Sequence, residues 1–368
     1  MIMSSNNPIL SLNASERLLL RLIRQHSPSR AILSQLSELT PGAITQYCRK
    51  LLFLGLIKEN EKAVKKRGQT SYHLTLNPTA CCSIGVTFLS EAFHLSLVDF
   101  CGNKLASECH TYQTKTDLDR LFSQIKNAIK RLLEKKFLQE ARILGVGFSV
   151  SGYLLSDSSR SSPWFPLLQN QPHLADKLTQ YLGYPCRIEN NINTIAIGEY
   201  YSGAWRENDD LIVISLDFGI GAGVISQGKF IQGGFGNAGE VGMLFSYEQP
   251  RPSWNDLVKS LGKENITEAG ILARFDEQDP TLYHWLDRAK PQVLSLVISA
   301  IAWLDPKVIV ITGMLPRPLI DHIATYIRHS SYFSQTERPL AQLDTTQIGI
   351  ENIALGAAIL PIYFLLNE

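Results

Sequence analysis

The apolar positions near the start of the chain recur at intervals of three and four residues, which is the spacing of one buried helix face. A first helix is predicted around residues 17–24, and a second follows Ser29, whose hydroxyl can cap it. The positions predicted to face the core are Leu18, Leu19, Leu22 and Ile23 in the first helix and Ile32, Leu33 and Leu36 in the second.

A third helix is predicted to begin at Thr40, which is a good N-cap residue. Pro41 then occupies the first helical position, where its missing N–H costs no hydrogen bond. The positions of this helix that are predicted to face the core are Ile44, Leu51, Leu52 and Leu54.

Two short strands are predicted after the third helix, at residues 56–59 and 71–76. Between them lies the basic turn Lys65-Lys66-Arg67-Gly68. Helix, strand, basic turn and strand follow one another in the order of a winged helix-turn-helix. The sequence therefore predicts such a domain over residues 1–77, with Asn77-Pro78 as the hinge that ends it.

Strands and helices alternate through the rest of the chain. The predicted strands are 84–89, 94–99, 143–150, 211–216, 223–226 and 308–311, and the predicted helices are 116–138, 172–182, 283–303 and 353–366. This order predicts an α/β body with two lobes around a cleft. The predicted lobes are residues 78–187, together with the C-terminal helix 353–368, and residues 188–352.

Composition and charge divide the chain at the same place. With 368 residues, 45% apolar and 19% charged, it is predicted to be globular with two or three domains. Residues 1–77 contain eleven Lys and Arg against four Glu, a formal charge of +7, whereas the remainder carries 24 basic and 30 acidic residues. A basic end on an acidic body is typical of phosphate binding at one end, although an ordinary solvated basic surface has the same composition.

The predicted third helix and the basic turn supply the candidate DNA contacts. Small residues at the helix start let the backbone approach a major-groove edge, Gln46 can read base edges, and the basic turn suits phosphates or a minor groove. The predicted DNA-binding residues are Ser29, Arg30, Thr40, Pro41, Gly42, Ala43, Thr45, Gln46, Arg49, Lys65, Lys66, Arg67 and Gly68. A three-helix protein-interaction module is the alternative.

The six cysteines show no CxxC spacing, which indicates a reduced protein without a disulfide framework or a cysteine-based metal site. No apolar run reaches the roughly 20 residues of a membrane span, and no signal peptide is evident at the N-terminus. These features together predict a cytoplasmic protein.

Several motifs in order resemble the ROK family of repressors, open reading frames and sugar kinases, in its transcriptional-repressor branch. They are Ser83-Ile84-Gly85-Val86-Thr87, Ile188-Glu189-Asn190-Asn191-Ile192-Asn193 with Ala196-Ile197-Gly198-Glu199, Asp217-Phe218-Gly219-Ile220-Gly221-Ala222-Gly223, and Gly239-Glu240-Val241-Gly242-Met243. The resemblance covers nearly the whole chain. It implies a winged helix-turn-helix followed by a two-lobed, actin-like, sugar-kinase-like α/β domain.

The departures from the family motifs argue against catalysis. The resemblance places the general base of the family's kinases at Asn191, and an amide cannot usefully accept a proton at neutral pH. It places the carboxylate of the first phosphate turn at Ser83 and the second glycine of that turn at Val86. The chain is therefore predicted not to be an enzyme.

The zinc site of the family is also predicted to be absent. In the family motif a His stands where this chain has Met243, and residues 245–261 contain no Cys or His. A closed structural zinc site needs about four nitrogen or sulfur ligands. Neither a metal nor a cofactor is therefore expected.

Four residues remain as candidates for a non-catalytic effector pocket. The resemblance implies that Gly152, Asn190, Asn191 and Glu240 contact a sugar or sugar phosphate, because amides and a carboxylate can hydrogen-bond vicinal hydroxyls. Alternatively, the two Asn residues cap the following helix and Glu240 is a structural carboxylate. Trp164 could line the pocket or be an ordinary buried aromatic residue.

The family resemblance then implies a transcriptional regulator, expected to repress genes of sugar uptake or catabolism. A homodimer would place two winged modules on an inverted repeat in double-stranded DNA, and an effector would reposition them. Three alternatives stay open. They are a regulator that has lost its ligand and responds to a partner protein, an active sugar kinase, and a purely structural module.

Overall fold

The chain folds into two compact units in the computed structural model, one comprising residues 1–202 and 350–368 and the other residues 203–349. The chain passes from the first unit to the second at 202–203, whereas the predicted lobes were divided at 187–188. The described residues are 11–62, 71–89, 92–112, 117–136, 143–162, 165–246, 248–262, 266–335, 337–346, 348 and 353–368.

The predicted helix-turn-helix is present at the start of the first unit. Its elements are α1 (Ala14–His26), α2 (Arg30–Ser37), α3 (Pro41–Phe53), β1 (Ile57–Lys62) and β2 (Ser71–Leu76). Side-chain oxygens cap all three helices: Asn13 forms a capping box with Glu16, Ser29 accepts from the N–H of Ile32, and Thr40 accepts from that of Ala43. β1 and β2 pair antiparallel.

The buried face of α2 differs from the prediction. Leu33 is buried, but Ile32 and Leu36 are each 44% exposed. The neighbours of this eight-residue helix are α1, α3 and β2, and they cover the side that carries Leu33 and Ser37. Ile32 and Leu36 stand one turn apart on a different side, so helical spacing alone selected too broad a face.

A five-stranded sheet forms the body of the first unit. Its strands are β3 (Cys82–Leu89), β4 (Ala92–Asp99), β5 (Lys104–Thr111), β6 (Ile143–Ser149) and β9 (Cys186–Glu189), in the order β5-β4-β3-β6-β9. The pairs β5–β4 and β4–β3 are antiparallel, whereas β6 and β9 continue the sheet in parallel. The strand β5 was not predicted, because its exposed edge position leaves it with mostly polar residues.

Helices cover both faces of this sheet. The helices of the body are α4 (Leu118–Lys135), α5 (Leu174–Leu182), α6 (Asn191–Ser202) and α12 (Leu355–Asn367). Ile84 and Val86 share a core with α4 and α5. The alternate residues Ser83 and Gly85 meet α12, and a Cβ atom on Gly85 would lie 2.2 Å from the backbone nitrogen of Ala358.

The second unit is built on another five-stranded sheet. Its strands are β10 (Leu211–Leu216), β11 (Ile220–Ser226), β12 (Lys229–Phe230), β13 (Val308–Gly313) and β14 (Gln342–Thr345), in the order β12-β11-β10-β13-β14. Its helices are α7 (Trp254–Ser260), α8 (Glu268–Asp276), α9 (Pro280–Leu304), α10 (Arg317–Arg328) and α11 (Ser331–Ser334). Trp285, fully buried on α9, belongs to its core.

A short hairpin precedes α5 in the first unit, with β7 (Tyr153–Leu154) antiparallel to β8 (Arg160–Ser161). Arg160 on β8 and Gly152, which immediately precedes β7, belong to the candidate site described below. Among the helices in the described part of the chain, none is both long and apolar enough to cross a membrane.

Candidate DNA-binding and ligand-binding sites

The polar face of α3 is open to solvent, as the sequence predicted. Thr40, Pro41, Gly42, Gln46 and Arg49 are exposed, while Ala43 and Thr45 are half-buried. The buried positions of α3 are Ile44, Cys48 and Leu51, whereas Leu52 and Leu54 are only partly covered. Because the core positions fall on one side of the helix, Gln46 and Arg49 remain available to a partner.

Two hydroxyl groups in the predicted DNA-binding set have local partners in α3. Thr40 Oγ1 accepts from the N–H of Ala43 at 3.3 Å, and Thr45 Oγ1 donates to the carbonyl of Pro41 at 2.9 Å. Both interactions stabilise the first turn of the helix. Thr40 and Thr45 therefore stabilise the start of the helix. The side chains of Gln46 and Arg49, by contrast, are exposed to solvent.

Arg30 joins α2 to the wing. Its Nη2 donates to Glu59 Oε1 on β1 at 2.6 Å, with both side chains about one-third exposed. β2 is held to the same region, because the N–H of Leu74 donates to the carbonyl of Pro28 at 2.9 Å. Ser29 caps α2 beside them. The remaining predicted DNA-binding residues, Lys65, Lys66, Arg67 and Gly68, lie outside the described residues.

Three of the arginines that make the first 77 residues basic are directed towards the body of the first unit. Arg17 Nη1 donates to the carbonyl of Leu365 at 2.5 Å, and Arg21 Nη1 donates to Asn367 Oδ1 at 3.0 Å. The Arg24 guanidinium lies over the rings of Tyr200 and Tyr201. These cations hold α1 against α6 and α12, so three of the module's positive charges are engaged within the first unit.

Asn190 and Gly152 belong to a buried polar network at the start of α6. Asn190 Nδ2 donates to the carbonyl of Gly152 at 3.0 Å, and Asn190 Oδ1 accepts from the N–H of Ile192 at 3.1 Å. Arg160 Nη1 donates to the same Gly152 carbonyl at 3.0 Å, and its Nη2 donates to Glu189 Oε1 at 3.3 Å. Asn190 thus caps α6, which is the role that the sequence analysis gave as the alternative to a sugar contact.

Gly152 has a conformation that other residues rarely adopt. Its φ is +104°, and a Cβ atom would lie 2.0 Å from the carbonyl oxygen of Ser161. A side chain at this position would push β7 away from β8. Its carbonyl, fixed in this way, receives both Asn190 and Arg160. Gly152 therefore supports the network from its backbone.

Asn191, the first residue of α6, is half-buried. Its carbonyl accepts from Thr194 Oγ1 at 2.8 Å, and the same hydroxyl lies 3.0 Å from Ser149 Oγ at the end of β6. On the adjacent strand β3, Thr87 Oγ1 is buried without a hydrogen-bond partner among the described residues. Trp164, a candidate lining residue, lies outside the described residues.

Glu240 belongs to the second unit. It is half-buried and precedes a 3-10 turn formed by Val241–Leu244. The carbonyl of Gly239 accepts from the N–H of Ala222 on β11 at 2.7 Å, which holds this segment against the sheet. Met243, which stands at the position of the family's His, is 81% exposed.

The position of the first kinase phosphate turn is part of a continuous strand. Residues 82–89 form β3, which pairs along its length with β4. The Ser83 hydroxyl donates to the carbonyl of Ala358 in α12, and Val86 is fully buried against the helices of the other face. The Ser83 hydroxyl is thus engaged in a hydrogen bond and the Val86 side chain in the core. Neither residue can supply the carboxylate or the glycine of a phosphate turn.

Asp217 is the first residue of the glycine motif that the sequence analysis aligned with the family, where it was given no individual role. It follows β10, and its Oδ2 accepts from Ser215 Oγ at 2.6 Å. Burial raises the pKa of the Asp217 carboxyl, while hydrogen bonds from Ser215 and from the backbone of Met314 act in the opposite direction. A carboxylate here would repel a phosphate group.

Throughout the segments that the structure describes, no three or more His, Cys, Asp or Glu side chains are grouped so that they could hold a metal ion. The cysteines at 48, 81, 82, 101, 109 and 186 form no disulfide bonds.

The sequence profile of the ROK family matches residues 80–249. An uncharacterised protein of Sinorhizobium fredii, y4fQ, is 30% identical over 97% of this chain and 92% of its own length. The DNA-binding transcriptional dual regulator NagC of Escherichia coli is 27% identical over 61% of this chain and 55% of its own length. The xylose repressor of Caldicellulosiruptor bescii is 28% identical over 58% of this chain and 54% of its own length. The chain therefore matches only about half of the length of each of these two repressors.

Solved structures share the fold. A ROK transcriptional regulator described as a homologue of the E. coli MLC protein superposes with a TM-score of 0.72 at 19% identity, covering 98% of both chains. The ROK hexokinase of Thermus thermophilus superposes with a TM-score of 0.61 at 21% identity, covering 76% of this chain and 97% of its own. The fold is thus an actin-like α/β fold of the sugar-kinase type, preceded by a winged helix-turn-helix. The chain belongs to the ROK family.

Proposed function

We propose that this protein is a DNA-binding transcriptional regulator that represses genes of sugar uptake or catabolism. The observation that carries the proposal is the winged helix-turn-helix, whose α3 exposes Gln46 and Arg49 on a polar face. Such a helix reads base edges in the major groove, while the surrounding residues contact phosphates. The names of the repressors similar to this chain supply the sugar class.

The proposal includes the absence of phosphoryl transfer. Transfer from ATP to a hydroxyl needs a proton acceptor and a site that stabilises phosphate charge. An amide stands at Asn191, and the first phosphate turn has Ser83, hydrogen-bonded to Ala358, and the buried Val86 in place of a carboxylate and a glycine. These three departures from the family motifs act on different parts of the reaction, so reversing one of them would not restore it.

For effector binding we propose unequal roles for the four candidate residues. Asn190 and Gly152 are occupied by the network around Arg160 and Glu189, so their role is to fix the start of α6. Asn191, which is half-buried in the first unit, is proposed to hydrogen-bond a hydroxyl group of a sugar or sugar phosphate. Glu240, which is half-buried in the second unit, is a separate candidate for the same chemistry.

The second candidate function is a regulator that responds to a partner protein. The observation that favours it is Met243, which is 81% exposed where the family motif has a His. An exposed thioether next to Leu244, which is 62% exposed, suits an apolar protein contact better than a sugar.

DNA binding is tested by selecting genomic fragments with the full chain and footprinting the enriched sites. The expected result is an inverted repeat protected by a homodimer, with the spacing of half-sites set by one or more turns of DNA. Gln46→Ala should change the preferred bases. Equal recovery of all fragments by the wild type and by the Gln46 variant would contradict the proposal.

Ligand binding and catalysis are tested on the same preparation. A thermal-shift panel of sugars and sugar phosphates should yield a ligand whose effect is lost in Asn191→Ala or Glu240→Ala. No hit across the panel, together with capture of a specific partner that Met243→Asp abolishes, would favour the second candidate. With ATP and magnesium, ADP release should stay at background for both the wild type and Asn191→Asp.

A further inference from the structure

The contact between α1 and the body of the first unit centres on Arg24. Its guanidinium carbon lies 4.7 Å from the centroid of the Tyr200 ring and 4.0 Å from that of Tyr201. Arg24 Nε and Nη1 are buried, and neither has an acceptor among the described residues. The guanidinium is therefore held by the two aromatic faces.

Neighbouring side chains of α1 reinforce this contact. Gln25 Nε2 donates to the Tyr200 hydroxyl at 3.0 Å, and this bond is buried. Arg21 and Arg17, one and two turns earlier, donate hydrogen bonds to Asn367 and Leu365 at the end of α12. The first helix of the DNA-binding module is thus attached to two helices of the α/β body.

The helix that carries Tyr200 and Tyr201 begins in the polar network. α6 runs from Asn191 to Ser202, so it carries the network at its first turn and the Arg24 contact at its last. Its 12 residues span about 18 Å at 1.5 Å per residue. Most of its residues are buried, and it packs along α12. A packed helix of this kind moves as one body rather than bending.

We propose that α6 transmits the state of the network around Asn190 to the winged helix-turn-helix, and that Arg24 is the residue that couples them. The inference rests on the proposed function, because it assigns a route to the regulation assumed there. A shift of α6 along or about its axis moves both tyrosine rings beneath the guanidinium. The position of α1, and with it that of α3, follows.

A purely structural docking contact is the competing explanation. It would make Arg24 necessary for stability but would not link events at the two ends of α6. Coupling between two sites is reciprocal, so DNA bound to the helix-turn-helix must also affect the first turn of α6. This reciprocity gives a measurement that needs no effector.

The test is amide hydrogen exchange of the full chain with and without the duplex selected under the proposed function. In the wild type, binding of the duplex should change the exchange rates in the first turn of α6 by about 5-fold or more, the lower end of typical couplings. In Arg24→Met, the duplex should still bind, but the change in α6 should disappear. Tyr201→Leu should do the same from the other side of the contact.

The matched control is Tyr201→Phe, which keeps the ring and removes a hydroxyl that has no hydrogen-bond partner among the described residues. Its α6 response should equal that of the wild type. A response retained in both Arg24→Met and Tyr201→Leu would overturn the inference, as would a wild type that binds DNA without any change in α6. A wild type that binds no DNA would instead overturn the proposed function, and this inference with it.

Discussion

The hydroxyl of Ser83 donates a hydrogen bond to the carbonyl of Ala358, which ties the first strand of the α/β body to the C-terminal helix. Ser83 is fully buried, and Gly85 beside it lets the helix backbone come close. A position that the family resemblance associates with a phosphate-turn carboxylate thus serves to anchor α12.

Replacing Ser83 should destabilise the first unit according to the charge introduced. Ser83→Ala removes one hydrogen bond and should lower the free energy of unfolding by about 1 kcal/mol. Ser83→Asp would place a carboxylate against a carbonyl oxygen and should cost about 3–5 kcal/mol. Urea unfolding measures both values. The control is Ser96→Ala, because the Ser96 hydroxyl is buried with no partner among the described residues and its loss should cost little.

Arg49 and Arg21 should differ in their effect on DNA binding. Arg49 is exposed on α3, whereas Arg21 bonds to Asn367 in the body. If Arg49 meets a phosphate, Arg49→Ala should reduce the slope of log affinity against log salt by about 0.9. Arg21→Ala should leave that slope unchanged. Titrations of a labelled duplex at several salt concentrations measure it, and equal slopes for both variants would show that Arg49 contacts no phosphate.

Asp217 should make the second unit less stable as the pH rises. Because burial raises the pKa of this carboxyl in the folded state, the unfolded chain loses its proton first. The free energy of unfolding therefore falls from about pH 3.9, the ordinary Asp value, until the folded carboxyl has also ionised. The Asp217→Asn side chain can still accept the hydrogen bond from Ser215. It should raise the urea midpoint of unfolding at neutral pH and leave it unchanged below about pH 3.9, where Asp217 is protonated in both the folded and the unfolded state.

Asp279 provides a control of opposite sign. Its pKa is lowered, first by the hydrogen bond from the backbone N–H of Leu282, with contributions from Thr281 and Arg274. Its contribution to stability is present above the unfolded pKa and is lost as the pH falls through the folded one. Asp279→Asn should therefore lower the midpoint at neutral pH and have less effect in acid. Identical pH profiles for the two variants would contradict both assignments.

Gly152→Ala should be considerably more damaging than Gly183→Ala. Both glycines have positive φ, but a Cβ atom on Gly183 would meet nothing within 4 Å, whereas on Gly152 it would meet Ser161. Gly183→Ala should cost about 1–2 kcal/mol for the left-handed backbone alone. Gly152→Ala should cost more and should also weaken the response to any sugar that the wild type binds. Thermal unfolding compares the two, and equal midpoints would exclude the close contact.

The local chemistry of the chain determined the order of its elements. Ser29 and Thr40 were predicted to cap α2 and α3, and both do so because a cap depends on residues three positions apart. The helical spacing of apolar residues similarly left Gln46 and Arg49 on the exposed face of α3. The motifs from Ser83 to Met243 were sufficient to place the chain in its family, since their order is a property of the sequence.

Only the tertiary structure decided what the polar residues contact. Arg17, Arg21 and Arg24 count as basic residues in any composition, but their partners lie more than 170 positions away on α6 and α12. The edge strand β5 carries too little apolar patterning to be recognised, because only pairing with β4 defines it. A hydrogen bond or stacking contact requires two groups to meet in space, and one-dimensional spacing records only the residues that are already neighbours in the chain.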